Sequence, residues 1–251
     1  MFMVKNMQEE INDVKLNYIL YGEEKKETVV LLHGWGQNIE MMRPIGDRLA
    51  RSFNIVIVDL PGFGKSSEPT KVWTIYDYAS CINELLNRLN VKKPILIGHS
   101  FGGKIALAYA TKYETSKLVL LASPFRKIMN KDSFKTNLLK GLKKIPLLNK
   151  LEGYAKKHMG SVDYRNASPM MRNILVEHVN LSLEEEVKKI TCPTLIIWGT
   201  NDQAVSIEDG YLLNNLIKGS GIVTYEGCTH YAYLERLGQT ISVLYSFLGG
   251  N

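Results

Sequence analysis

The stretch "LIGHSFGGKIAL" (residues 96–107) places Ser100 between Gly98 and Gly102, after a short apolar run and before a helical pattern. A serine held on a tight turn from strand to helix needs small residues on both sides, because a side chain two positions away meets the strained backbone or the returning helix. Gly98, Gly102 and Gly103 supply that room. A helix beginning at about Phe101 also aims backbone N–H groups at negative charge developing beside Ser100. The stretch therefore reads as a seat for a nucleophile rather than as a plain glycine-rich turn.

Working outward, "KLNYILYG" (15–22) alternates as a half-buried strand does. "TVVLLHG" (28–34), "NIVIVDL" (54–60), "PILIGHS" (94–100), "KLVLLAS" (117–123) and "PTLIIWG" (193–199) are short branched-apolar runs, the mark of strands covered on both faces. Helix-length amphipathic stretches at 39–51, 75–90 and 101–113 lie between several of them. The alternation predicts an α/β fold with a mostly parallel sheet and right-handed crossovers. A further helix near 207–218, a strand "GIVTYEG" (221–227) and a helix at about 232–248 complete the pattern. Between Ser123 and Ile190 it lapses: helical periodicity, many lysines, and Pro124, Pro146 and Pro169 as breakers predict a helical insertion. The expected organisation is a core of residues 1–122 and 191–251 with an insertion at 123–190.

At 251 residues, 45% hydrophobic and 22% charged, the chain has the composition of one globular domain. The net charge of +6 is uneven, since residues 123–190 hold 14 Lys and Arg against 7 Asp and Glu, leaving +7 there. One cationic face inside a neutral body argues against nucleic-acid binding. No apolar run of about 18 residues occurs, and "MFMVKNMQEE" turns acidic before a signal-peptide core could form, so a cytoplasmic protein that is not an integral membrane protein is expected. Cys81, Cys192 and Cys228 show no paired spacing and read as buried inert thiols, with neither a disulfide framework nor a metal site.

A serine hydroxyl needs a base to take its proton, and the base needs an acid to fix its tautomer. In open α/β sheets such groups gather beyond the carboxyl ends of strands. Asp202 follows "TLIIWGTN" and His230 follows "IVTYEGCT", which makes them orienting acid and base for Ser100. Of the other histidines, His33 reads as a loop brace, His99 as a flank of the site, and His158 and His178 as surface residues. Lys104 also reads as a surface residue.

The order Ser100, Asp202, His230, with "LLHGWGQN", "VDLPGFGKS", "LIGHSFGG", "LIIWGTND" and "EGCTHYAYLE" in sequence, resembles the α/β-hydrolase superfamily from about Lys15 to the C-terminus. The resemblance implies an α/β-hydrolase fold, an oxyanion hole formed by the backbone N–H groups of Trp35 and Phe101, and a helical lid at 123–190. It implies no cofactor. Aspartate-nucleophile members would carry an acid at position 100, so serine implies acyl transfer on a small-molecule acyl substrate. Trp35, Phe101, Phe125 and Tyr231 are the expected pocket aromatics. The lysine- and leucine-rich "KGLKKIPLLNKLEGYAKKHMG" (140–160) reads as a lid helix, or as a docking face for an acidic carrier protein or an anionic surface. Three alternatives to a simple carboxylic esterase stay open at this point: carbon–carbon bond hydrolysis of diketone ring-fission products, cleavage of an acyl-carrier-protein methyl ester, and a ligand receptor or signalling partner with slow turnover.

Overall fold

The computed structural model describes residues 4–22, 27–127 and 167–249. Strands β1 (Lys5–Ile11), β2 (Val14–Gly22) and β3 (Thr28–Leu32) lead to helix α1 (Ile39–Leu49) and strand β4 (Asn54–Asp59). Helix α2 (Ile75–Arg88), strand β5 (Ile95–His99), helix α3 (Phe101–Ala110) and strand β6 (Lys117–Leu121) follow. From residue 167 onward come helix α4 (Pro169–Asn180), strand β7 (Thr194–Gly199), helix α5 (Ile207–Leu216), strand β8 (Gly221–Tyr225), the one-turn helix α6 (Ala232–Glu235) and helix α7 (Leu237–Leu248). The eight strands form one sheet in the order β1-β2-β4-β3-β5-β6-β7-β8, with only the β1–β2 and β2–β4 pairs antiparallel.

The apolar runs become the central strands because their alternate residues feed two separate cores. Val30, Leu32, Leu96, Leu118 and Leu120 face α2 and α3, whereas Val29, Leu31, Ile95, Ile97 and Val119 face α1 and α7. Strand β1, "KNMQEEI", was not foreseen: all but Ile11 of its residues are exposed or half-buried, so no apolar pattern betrays it. The predicted helix over 232–248 is broken at Arg236 into α6 and α7. Pro169, expected to break a helix, begins α4 instead, with the Ser168 hydroxyl accepting the Met171 N–H at 3.1 Å. A proline costs no hydrogen bond in a first helical turn.

Strand order reverses between β3 and β5, so the chain leaves their carboxyl ends toward opposite faces of the sheet. That divergence opens a crevice at the sheet's upper edge, and the loops carrying Trp35 and Ser100 sit there. Helix α3 packs directly on β5 because no side chain intervenes. A Cβ on Gly98 would lie 2.5 Å from the Gly102 carbonyl oxygen and 2.6 Å from Gly103 Cα, and one on Gly102 would lie 2.6 Å from the His33 carbonyl oxygen.

Helix α4 is docked on the core at both ends. Near its start the Ser168 hydroxyl donates to Glu68 at 2.5 Å, and Met171 occupies the space over Gly62. Past its end, the Leu183 N–H donates to the Phe125 carbonyl at 2.7 Å. Most of the expected lid, including the basic stretch 140–160 and His158, lies outside the described residues. Among the described residues no helix is long and apolar enough to cross a membrane, and no group of His, Cys, Asp or Glu is arranged to hold a metal ion.

Gly98→Ala forces backbone against backbone and is expected to cost about 1–3 kcal/mol. Gly238→Ala, at an exposed position of helix α7 with nothing within 4 Å of the added Cβ, is expected to gain about 0.5–1 kcal/mol. Urea denaturation of the two variants beside the parent checks both signs.

Candidate active site

Ser100 sits at the turn from β5 to α3 with φ +51° and ψ −112°, a left-handed conformation that costs a non-glycine residue about 1–3 kcal/mol. The surroundings hold it there: its N–H donates to the Leu121 carbonyl at 2.9 Å, its carbonyl accepts the Lys104 N–H at 3.0 Å, and the Gly102 N–H is tied to the His33 carbonyl at 3.0 Å. The geometry leaves the hydroxyl buried, and among the described residues Oγ has no hydrogen-bond partner.

Asp202 and His230 come from the loops after β7 and β8. The Asn201 N–H donates to the Cys228 carbonyl at 2.9 Å, and the Gly227 N–H donates to the Thr200 hydroxyl at 2.9 Å, so the two loops are stitched together. Asp202 Oδ1 accepts the N–H groups of Ala204 (2.8 Å) and Val205 (3.0 Å), which orients the carboxylate. Its Oδ2 then accepts Nδ1–H of His230 at 2.7 Å, with both side chains essentially removed from solvent. With the proton fixed on Nδ1, Nε2 carries the lone pair, and among the described residues it too is buried without a partner. The hydrogen bond from Ser100 Oγ to His230 Nε2 is not made in this structure.

His99, next to the serine, links the two parts. Its Nε2 lies 3.1 Å from the His230 carbonyl oxygen, and the two rings are 4.9 Å apart. Burial and the adjacent His230 hold its pKa well below the ordinary histidine value. His33 braces its loop as expected. The Leu60 N–H donates to its Nε2 at 3.0 Å, so Nδ1 carries the proton and donates to the Gly34 carbonyl at 2.7 Å. Gln37 extends the brace, accepting the Gly34 N–H at 2.9 Å and donating to the Tyr231 hydroxyl at 3.1 Å. Tyr231 is thereby engaged in the α1 and α7 core, with its hydroxyl already paired.

Trp35, Phe63 and Phe101 meet edge to face, with ring centroids 4.9 Å (Trp35–Phe63), 5.1 Å (Trp35–Phe101) and 6.1 Å (Phe63–Phe101) apart. Phe63 is an addition to the expected set. Phe125 is fully buried in the same α2 and α3 core. Among the described residues the N–H groups of Trp35 and Phe101 make none of the loop or turn hydrogen bonds.

Two expectations are overturned here. Lys104 is wholly buried, and its Nζ donates to the carbonyls of His178 (2.7 Å) and Leu181 (2.6 Å) at the end of α4. His178 is only 2% exposed, its ring lying against Trp35 and Phe101. Both are buried because α4 docks on α3. Helix α3, expected to be amphipathic, is instead buried from Phe101 to Tyr109; the signal was "IALAYA" after Lys104, apolar all round, which marks a helix with no solvent face.

The pattern of the alpha/beta hydrolase fold family matches residues 27–152, half of the chain, which belongs to that family. The protein is a hydrolase of the α/β fold. It is 28% identical over 259 residues to the monoacylglycerol lipase ABHD6 of Mus musculus, covering 89% of this chain and 76% of that one. It is 29% identical over 259 residues to a 2-hydroxy-6-oxononadienedioate/2-hydroxy-6-oxononatrienedioate hydrolase of Pseudomonas putida, covering 89% and 87%. Its fold superposes on a membrane phospholipase A, a bacterial virulence factor, with a TM-score of 0.85 at 24% identity, over 98% of this chain and 86% of that one.

Burial pushes the Lys104 ammonium down to about 7 from 10.5. The folded protein thus releases this proton near pH 7 while the unfolded chain keeps it, so stability rises with pH above that point and is lost as pH falls back through it. Denaturation midpoints from pH 7 to about 8, below cysteine and tyrosine ionisation, are expected to climb in the parent and to lose this component in Lys104→Met.

Proposed function

We propose that the protein hydrolyses carboxylic esters, or closely related acyl bonds, through an acyl-enzyme on Ser100. The observation that carries this reading is the His230 imidazole, oriented by Asp202 through Nδ1–H with a bare, buried Nε2, its backbone contacted by His99, the residue before a serine held in a strained elbow.

In this mechanism Nε2 of His230 takes the Ser100 proton as Oγ attacks the acyl carbonyl, and Asp202 stabilises the imidazolium. The N–H groups of Trp35 and Phe101 donate to the oxyanion in a site that excludes water, where such bonds are worth far more than in solvent. His230 returns the proton to the leaving alkoxide and later activates the water that clears the acyl group from Ser100. In this reading the hydroxyl-to-imidazole bond forms with substrate bound, since catalytic hydrogen bonds often tighten only then. Trp35, Phe63, Phe101 and Phe125 line the acyl pocket in this reading, with residues 123–190 as the lid. Tyr231 acts as a brace through Gln37, not as a pocket wall.

The similarity to the P. putida ring-fission-product hydrolase supports a second reading, carbon–carbon bond hydrolysis by the same three residues. A p-nitrophenyl ester and a vinylogous diketone assayed in parallel separate the two, and the ester is expected to turn over faster. Ser100→Ala and His230→Ala are each expected to lower ester turnover by about 10³-fold to 10⁶-fold, and Asp202→Asn by about 10⁴-fold. Full activity in Ser100→Ala on a substrate that the parent hydrolyses contradicts the mechanism.

A further inference from the structure

His178 sits at the end of α4, 2% exposed, and among the described residues neither of its ring nitrogens has a hydrogen-bond partner. Its place is fixed from behind, since its own carbonyl accepts from buried Lys104. The ring lies parallel to the Trp35 indole (interplanar angle 1°, centroids 6.4 Å apart) and edge-on to Phe101 at 4.7 Å. Phe101 follows Ser100 in the chain and Trp35 packs on it, so in the proposed site the imidazole joins their aromatic wall.

Two unpaired buried nitrogens destabilise the free protein, and an apolar ring packed at the same place carries no such cost. The pairing is recovered when a ligand brings a polar group to the wall. Burial and the Lys104 cation both push the His178 pKa well below the ordinary value, so the ring is neutral and offers one donor and one acceptor. A hydroxyl meets either. A carboxylate, by contrast, would take the single N–H and leave its other lone pairs among aromatic rings, while Lys104 spends its reach on two carbonyls.

We infer that His178 is a specificity-determining residue that hydrogen-bonds an uncharged hydroxyl of the substrate, so that the favoured substrates are esters of alcohols bearing a second hydroxyl near the scissile bond. This rests on the ester-hydrolase reading and adds a substrate class to it.

The test compares glyceryl monooctanoate with propyl octanoate, which share an acyl chain and differ in the hydroxyls. The parent is expected to favour the glyceryl ester by about tenfold or more in kcat/KM, as for one hydrogen bond at a buried site. His178→Phe is expected to bring the ratio close to one. His178→Gln, which keeps a donor and an acceptor, is expected to retain part of the preference. No preference in the parent overturns the inference without any variant, as does an unchanged ratio in His178→Phe or a parallel fall on both esters. Fluorophosphonate labelling of Ser100 reads the underlying mechanism separately. An unlabelled parent overturns the ester-hydrolase reading, whereas a labelled parent with no hydroxyl preference overturns only the role of His178.

Discussion

The structure depends on a close approach of backbone to backbone where β5 turns into α3. At Gly98 and Gly102 the facing main chain is too near to admit a Cβ, and Ser100 is held between them at positive φ. Removing that contact would lift α3 from the sheet and release the serine from its conformation. It would also separate the Ser100 loop from the His33 loop, which the Gly102 N–H joins. The strain at one residue is sustained by the burial of the whole helix, whose residues Phe101 to Tyr109 are all inside.

The same edge of the sheet collects the polar residues because that is where strands end and backbone groups are left to orient side chains. Asp202 is fixed by two N–H groups of its own loop before it meets His230, and His99 contacts the His230 backbone from the serine's side. Asp59, at the end of β4, does similar work on the neighbouring loop. It accepts the N–H groups of Ile39 (2.8 Å) and Lys65 (2.9 Å) and the Asn17 side-chain amide (2.9 Å). A buried carboxylate so satisfied is an organiser of loops, and it holds the start of α1 against the segment that carries Phe63.

The sequence was most legible where chemistry and burial point the same way. The central strands were visible because both faces are covered and every position is apolar, and the glycines around Ser100 revealed a turn that no other residue permits. Asp202 was legible as a polar residue just past such a strand, and His230 as one in the loop after edge strand β8. Strand β1 was hidden because it is held by backbone pairing to β2 with its side chains outward. Lys104 and His178 were misread because residue type suggested solvent, whereas the docking of α4, a contact between distant parts of the chain, decided their burial. Of the three cysteines read as buried, Cys81 and Cys228 are buried and Cys192 is only half-buried.

The central claim is that Ser100, His230 and the two amides at Trp35 and Phe101 converge on one reacting carbon. A crystal structure of the protein after reaction with an alkyl fluorophosphonate tests it most directly. The account predicts a covalent bond from Ser100 Oγ to phosphorus, with the phosphoryl oxygen about 2.7–3.1 Å from both amides and Nε2 of His230 within reach of an ester oxygen. An adduct on a different residue, or a phosphoryl oxygen turned away from both amides, contradicts it.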